Sequence, residues 1–293
     1  MQPPPPSRPT PAPDISAPLS PGLYIVATPI GNLGDLSPRA ARILAGAALI
    51  AAEDTRVTAK LLAHIGAKVP MQAYHDHNAD AVRPSLLERM QSGAVALVSD
   101  AGTPLISDPG YKLVRDARAA GIEVVTVPGA CAAIAALTLA GLPTDRFLFA
   151  GFLPVKPGAK AAAIDELASI RATLVFYESG PRTGATLAAL AERLGPRPAA
   201  VAREITKKFE ETVDGDLATL AERYASTPPR GEVVIVVGPP AAAIAASTGD
   251  VESALRAAMV GQPLSVAVAE VSAGLGVPRK TVYARALLLR DGE

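Results

Sequence analysis

Residues 99–110, reading SDAGTPLISDPG, concentrate side chains and breakers that can shape a ligand site. Asp100 and Asp108 supply carboxylates. Gly102 and Gly110 permit backbone conformations and close approaches that a side chain blocks. Pro104 and Pro109 stiffen the loop and remove backbone donors. What remains is a rim of carbonyls and small side chains, suited to cupping a flat, polar small molecule. A second group, Ala52-Glu53-Asp54-Thr55-Arg56, puts two carboxylates and a guanidinium after an apolar run. Asp54-Thr55 can equally cap the helix that follows, and the residues can do both. Two further charged clusters are Tyr177-Glu178-Ser179-Gly180-Pro181-Arg182 and the run 203–211, in which Arg203, Lys207 and Lys208 form a local basic spot. His75-Asp76-His77 has no third ligand at a metal-binding spacing, so no metal site is expected.

The absent motifs narrow the ligand. No Gly-x-x-x-x-Gly-Lys occurs, and no Gly-x-Gly-x-x-Gly follows the first strand, so a phosphate-centred nucleotide fits poorly. S-adenosylmethionine fits better. A carbonyl-rich rim near Asp100 can face its sulfonium and ammonium, and a helix N-terminus after Gly129 can receive its carboxylate.

These residues need elements to hold them. The apolar run 94–98 before the loop reads as a strand, and the segment from Tyr111 as a helix. Ligands of open α/β sheets bind at the carboxyl ends of strands, where such loops sit. Strand-like runs lie at 23–28, 47–51, 94–98 and 123–127, between helical patterns at 38–44, 56–65, 80–91, 111–120 and 130–140. That alternation argues for βαβ units on a parallel sheet. A second α/β unit begins near Phe147, with strands at 147–151, 173–177, 198–203, 210–214 and 232–237. Its helices are expected at 158–169, 183–194 and 216–224. Helical patterns at 251–259, 264–273 and 278–290 close the chain, and fit a helix-turn-helix as well as a small helical cap. The expected organisation is therefore a disordered proline-rich tail (1–21), α/β domains at 22–143 and 144–238, a linker (239–250) and a small helical region (251–293).

Composition sets outer bounds. Apolar residues make up 49% of 293, enough for a sizeable core, and with 4% aromatics and no Trp that core must be aliphatic. Lys plus Arg and Asp plus Glu number 28 each, so any polyanionic partner must be met by a local patch. The one cysteine, Cys131, fits a reducing cytoplasm. No apolar run spans a bilayer, and no secretory signal pattern stands at the N-terminus.

Taken together the motifs resemble a known family. Val26-Ala27-Thr28-Pro29-Ile30-Gly31-Asn32-Leu33, Glu53-Asp54-Thr55-Arg56, Tyr74-His75-Asp76-His77-Asn78, the 99–110 loop, Pro128-Gly129-Ala130, Gly151-Phe152-Leu153-Pro154, Phe176-Tyr177-Glu178-Ser179 and Arg203-Glu204-Ile205-Thr206-Lys207 are similar to the ribosomal RNA small subunit methyltransferase I family. This is a branch of the tetrapyrrole-methylase superfamily. The resemblance implies two α/β domains with the cofactor between them, and a homodimer. It also implies S-adenosylmethionine-dependent methylation of the ribose 2′-hydroxyl of a decoding-centre cytidine in 16S rRNA of the small ribosomal subunit. On the loops that carry it, the expected cofactor contacts are Pro29, Asp100, Ala101, Gly102, Thr103, Ile106, Pro128, Gly129, Ala130 and Cys131. Asp54 or Glu178 is the expected base. Lys207 or Arg56 is the cation that steadies the developing oxyanion or holds a phosphate. Arg56, Arg182 and Arg203 are expected to meet RNA, together with Lys208 and the C-terminal Arg279, Lys280, Arg285 and Arg290.

Overall fold

Short apolar runs alternating with helices are realised as two five-stranded sheets in the computed structural model, which describes residues 18–241 and 247–291. The first half runs β1 (Gly22–Val26), α1 (Pro38–Gly46), β2 (Leu49–Ala52), α2 (Thr55–His64), β3 (Met71–Ala73), α3 (Ala79–Ser92), β4 (Ala94–Val98), α4 (Tyr111–Ala119), β5 (Val124–Val127) and α5 (Ala132–Leu139). The strand order is β3-β2-β4-β1-β5, and every pair is parallel. All five residues of β4 are buried, as expected for a central strand covered on both faces.

Caps fix where the helices begin. Ser37 accepts from the Ala40 N–H with Pro38 in the first turn of α1, and Asp54 accepts from the Arg56 N–H at the start of α2. The chain leaves β1 toward β2 and leaves β4 toward β5. The helices of these connections lie on opposite faces: α1 packs with Val26 and Ile50, whereas Leu113 of α4 packs with Leu23 and Leu97. The neighbours β1 and β4 therefore form a topological switch point, where a ligand crevice opens at the carboxyl ends.

The second half runs β6 (Phe147–Phe152), α6 (Pro157–Leu167), β7 (Thr173–Ser179), α7 (Thr183–Leu194), β8 (Pro198–Arg203), β9 (Glu211–Asp216), α8 (Leu217–Ser226) and β10 (Glu232–Val237). Its order is β6-β7-β10-β8-β9. Here only β6 and β7 are parallel; β10 runs antiparallel to both neighbours and β8 antiparallel to β9. The connection 204–210 is too short for the crossover of roughly a dozen residues that a parallel pair requires. Helices α6, α7 and α8 cover one face of this sheet. Ala133, Ala136 and Leu137 of α5 cover the other, against Val175, Ala200 and Val234. One helix of the first half thus lids the second sheet.

The described residues up to Gly238 form one compact unit and the described residues from Pro239 onward another. The second unit contains α9 (Thr248–Ala258), α10 (Leu264–Leu275) and α11 (Arg279–Asp291) around Leu255, Val268, Val282 and Ala286. A capping box between Ser247 and Asp250 starts α9, so the helix begins inside the expected 239–250 linker. The expected tail falls mostly on residues 1–17 and part of that linker on 242–246, both outside the described residues. Among the described residues no helix is long and apolar enough to cross a membrane.

Candidate active site

The crevice at the switch point widens into a cleft of about 600 Å³ between the first sheet's carboxyl edge and the second sheet. Ile30, Glu53 and residues 100–103 and 106–108 form one wall; Cys131, Ala132, Phe152, Tyr177, Glu204, Ile205, Lys207, Gly231, Glu232 and Val234 complete it.

Backbone geometry makes the first wall. Thr28 and Gly102 exchange two backbone hydrogen bonds, 2.8 and 3.1 Å, which pin the 99–110 loop across the end of β1. Gly102 holds φ +84°, and a Cβ there would stand 3.3 Å from Ile30 Cγ2. Leu105 and Ser107 also hold positive φ, +75° and +65°. Each such residue stores about 1–3 kcal/mol of strain, an arrangement that clusters at ligand sites. Thr103 Oγ1 donates to the Ala130 carbonyl at 2.9 Å and ties the loop to the segment before α5. At the start of α5 the Ala133 N–H donates to the Tyr177 hydroxyl at 3.1 Å, which joins the second sheet to this corner. The Phe149 and Phe152 rings pack edge-on against Tyr177, and burial pushes the Tyr177 hydroxyl above its ordinary pKa.

The wall is acidic. Asp100 Oδ1 accepts from the Asp54 N–H at 2.9 Å, and Glu53 Oε2 accepts from the Asp100 N–H at 3.3 Å. Burial raises the carboxyls of Glu53, Asp100 and Asp108 above their ordinary range. Mutual repulsion adds to this: Glu53 feels Asp108 and Asp100, and Asp108 feels Asp100 and Glu232. Glu53 and Asp108 are half-buried and Asp100 is exposed, and an opposite charge placed among these mutually repelling carboxylates would favour their ionised form.

The opposite wall carries a cation of its own. Lys207 Nζ pairs with Glu204 Oε1 at 3.0 Å, and both residues line the cleft. They sit on a strained turn in which Glu204 and Thr206 hold φ +50° and +68°. The Lys207 stem lies across Gly31, where a Cβ would meet Lys207 Cγ at 2.5 Å.

The expected residues therefore separate. Asp100, Ala101, Gly102, Thr103, Ile106, Cys131 and Lys207 line the cleft. Pro29, Pro128, Gly129 and Ala130 are outside the lining itself, with Ala130 tied to it through Thr103. Asp54 and Arg56 are also outside it. Arg56 donates to both Asp54 carboxylate oxygens and holds that carboxyl down at about 2, too acidic for an effective base at neutral pH. Glu178 is turned away. It follows cleft-facing Tyr177 on β7, and neighbouring strand residues point to opposite faces. Its carboxylate is fully buried and accepts from Thr186 Oγ1 at 2.7 Å and from the Ser179 N–H at 2.8 Å, with Arg182 Nε at 3.2 Å. Arg182 is spent on that carboxylate and on the Leu153 carbonyl, and Arg203 pairs with Glu211 at 2.6 Å. Glu53, Asp108 and Glu204 line the cleft without having been singled out as site residues. The sequence placed each of them in a charged motif beside a strand end, but gave none of them a role of its own.

Elsewhere, Lys208 Nζ stands 5.5 Å from the Phe209 ring, and His75 and His77 face one another edge-on. Among the described residues no group of three His, Cys, Asp or Glu could hold a metal ion. In the C-terminal unit Arg285 pairs with Glu252, and Arg279 donates to the Ser265 carbonyl.

Comparison with known proteins follows the same division of the chain. Residues 22–221 match the Tetrapyrrole (Corrin/Porphyrin) Methylases, and residues 241–290 match the RsmI C-terminal HTH domain. A ribosomal RNA small subunit methyltransferase I of Mesorhizobium japonicum is 48% identical over 94% of this chain and 94% of its own. Its counterpart in Erythrobacter litoralis is 53% identical over 93% and 97%. A solved uroporphyrin-III C-methyltransferase from Thermus thermophilus, complexed with S-adenosyl homocysteine, superposes with a TM-score of 0.52 at 22% identity. It covers 74% of this chain and 97% of its own. That last likeness is one of fold.

Proposed function

We propose, because the chain belongs to the tetrapyrrole methylase family and within it to the ribosomal RNA small subunit methyltransferases I, that it methylates the ribose 2′-oxygen of a decoding-centre cytidine in 16S rRNA. S-adenosylmethionine is the cofactor, and the residues present fit it. The half-buried carboxylates Glu53 and Asp108, with the more exposed Asp100 beside them, suit its two cationic centres, and the rim pinned by Gly102 leaves room for a flat base. When bound, it supplies a methyl group already activated on a sulfonium.

The observation that carries this reading is that the 99–110 loop and the 204–207 turn line one cleft. A cation-seating rim faces a paired Lys–Glu. Alignment of acceptor and donor across that gap supplies much of the rate. Lys207 holds positive charge where the 2′-oxygen becomes anionic, and Glu204 takes the proton. Asp54, Arg56 and Glu178 serve the scaffold: Asp54 caps α2, Arg56 clamps Asp54, and buried Glu178 fixes Arg182. In this reading residues 22–143 seat the donor and 144–238 present the acceptor machinery. The helical region 251–293 with Arg279, Lys280, Arg285 and Arg290 meets the small ribosomal subunit in the cytoplasm. A homodimer accounts for Ile134 and Leu139, which stay exposed on α5 at 46% and 41%.

The test is transfer of labelled methyl to small subunits from a strain lacking the modification. Lys207→Ala is expected to lower kcat by on the order of 10²-fold or more while S-adenosylmethionine still binds. A wild-type kcat in Lys207→Ala overturns the assignment. Light scattering that shows a monomer at assay concentration removes the dimer.

A further inference from the structure

A second pocket of about 550 Å³ lies directly behind the cleft wall, formed by Arg203, Glu211, Arg223, Tyr224, Thr227, Arg230 and their neighbours. Three guanidiniums meet there against one carboxylate. Glu211 is shared, 2.6 Å from Arg203 and 3.6 Å from Arg223, which leaves the pocket with an excess of two positive charges. Arg203 and Arg223 have structural duties. Both hold Glu211, and Arg223 also stands in the last turn of α8, where a cation complements the helix dipole. Arg230 has none of these duties: it is exposed, and among the described residues it has no ion-pair or hydrogen-bond partner. Tyr224 adds a second irregularity, being 5% exposed with a buried hydroxyl that has no hydrogen-bond partner among the described residues. Pro228 and Pro229 precede Arg230, stiffen its approach and contribute no backbone donors.

A guanidinium fork with spare donors, beside a second one, is built for a tetrahedral oxyanion. Position says which. Arg203 lines this pocket and its neighbour Glu204 lines the cleft; Arg230 lines this pocket and its neighbour Gly231 lines the cleft. Consecutive Cα atoms are about 3.8 Å apart, so the two sites are separated by little more than one backbone thickness. We propose that this pocket binds a phosphate of the RNA strand flanking the methylated nucleotide, with Arg230 as its principal ligand and Arg223 as the second. The RNA assignment rests on the function proposed above; the oxyanion site does not.

The experiment uses the full chain with Arg230→Ala and Arg230→Lys, both at an exposed position. One arm measures KM for small ribosomal subunits across a salt series, with the Kd of S-adenosylmethionine as control. Arg230→Ala is expected to raise that KM about tenfold and to flatten the log–log salt dependence by about one phosphate contact. Arg230→Lys is expected to keep the salt slope, and cofactor Kd to hold in both. The other arm titrates inorganic phosphate by calorimetry. Wild type is expected to give millimolar binding that Arg230→Ala loses. Phosphate binding lost in the variant with subunit KM unchanged assigns the pocket to a free anion and overturns the RNA role. No phosphate binding and no change in KM overturns the site altogether. If the wild-type protein transfers no methyl to subunits, the function above fails, and calorimetry still decides the pocket.

Discussion

Glu53, Asp100 and Asp108 share one wall, and their chemistry gives the cleft a pH signature. Burial raises all three carboxyls, so the native state keeps their protons longer than the unfolded chain does. Their contribution to folding is complete below the ordinary carboxylate pKa and disappears as pH climbs through the raised values. Asp54 runs the other way. Held at about 2 by Arg56, its contribution exists above the ordinary value and is lost as pH falls toward 2. A bound cation needs the three wall carboxylates ionised. Affinity for S-adenosylmethionine should therefore fall as pH drops into their range. Asp108→Asn should weaken it by about tenfold at neutral pH, the loss of ~1.4 kcal/mol, and should stabilise the ligand-free protein. Calorimetry between neutral and mildly acid pH, with thermal melts of the free protein, checks both. Residue identities alone show that Asp100 stands in a ligand loop. They do not show that Asp108 and Glu53 converge on it, because that depends on how the loop folds back across β1. Glu178 is the reverse case. Its motif reads as functional, yet strand alternation buries it beside Arg182, and only the register of β7 decides that.

Elements carry the next set of consequences. The parallel half was legible because β1, β2, β4 and β5 are apolar runs separated by helical patterns, the first two of them opened by capping residues, so period and punctuation agree. The edge strand β3 was not, since three residues give no pattern to read. The mixed order of the second sheet was hidden too: strand positions are written in apolar runs, but the direction of β8, β9 and β10 is set by connection lengths and pairing. The turn between β8 and β9 is where this matters most, because it aims Lys207 across Gly31 into the cleft. Gly31→Ala leaves the cofactor rim untouched and displaces the Lys207 stem. It should cost kcat on the order of 10²-fold through misplacement, with cofactor affinity retained. Equal losses in kcat and cofactor binding would mean that residue 31 shapes the rim instead. In the C-terminal unit the Ser247–Asp250 capping box makes a separate prediction. Ser247→Ala should cost that unit about 1 kcal/mol, measured by its unfolding transition, without changing cofactor affinity.

At the scale of the whole molecule, charge balance matters. Equal numbers of acidic and basic residues leave no overall field, so attraction to RNA has to come from patches. We propose the arginine pocket behind the cleft as one and, in the helical unit that matches the RsmI C-terminal HTH domain, the neighbouring Arg279 and Lys280 as another. A chain ending at Gly238 keeps both sheets and the cleft. It should bind S-adenosylmethionine as the full chain does and lose affinity for small ribosomal subunits. Parallel loss of both would make the helical unit a structural support. The most direct test of the account is to identify the nucleoside that receives the label. Small subunits lacking the modification, treated with this protein and methyl-labelled S-adenosylmethionine, should carry the label in 2′-O-methylcytidine at one site of 16S rRNA. Label on a nucleobase carbon or nitrogen, or none on RNA while the cofactor binds tightly, would contradict it.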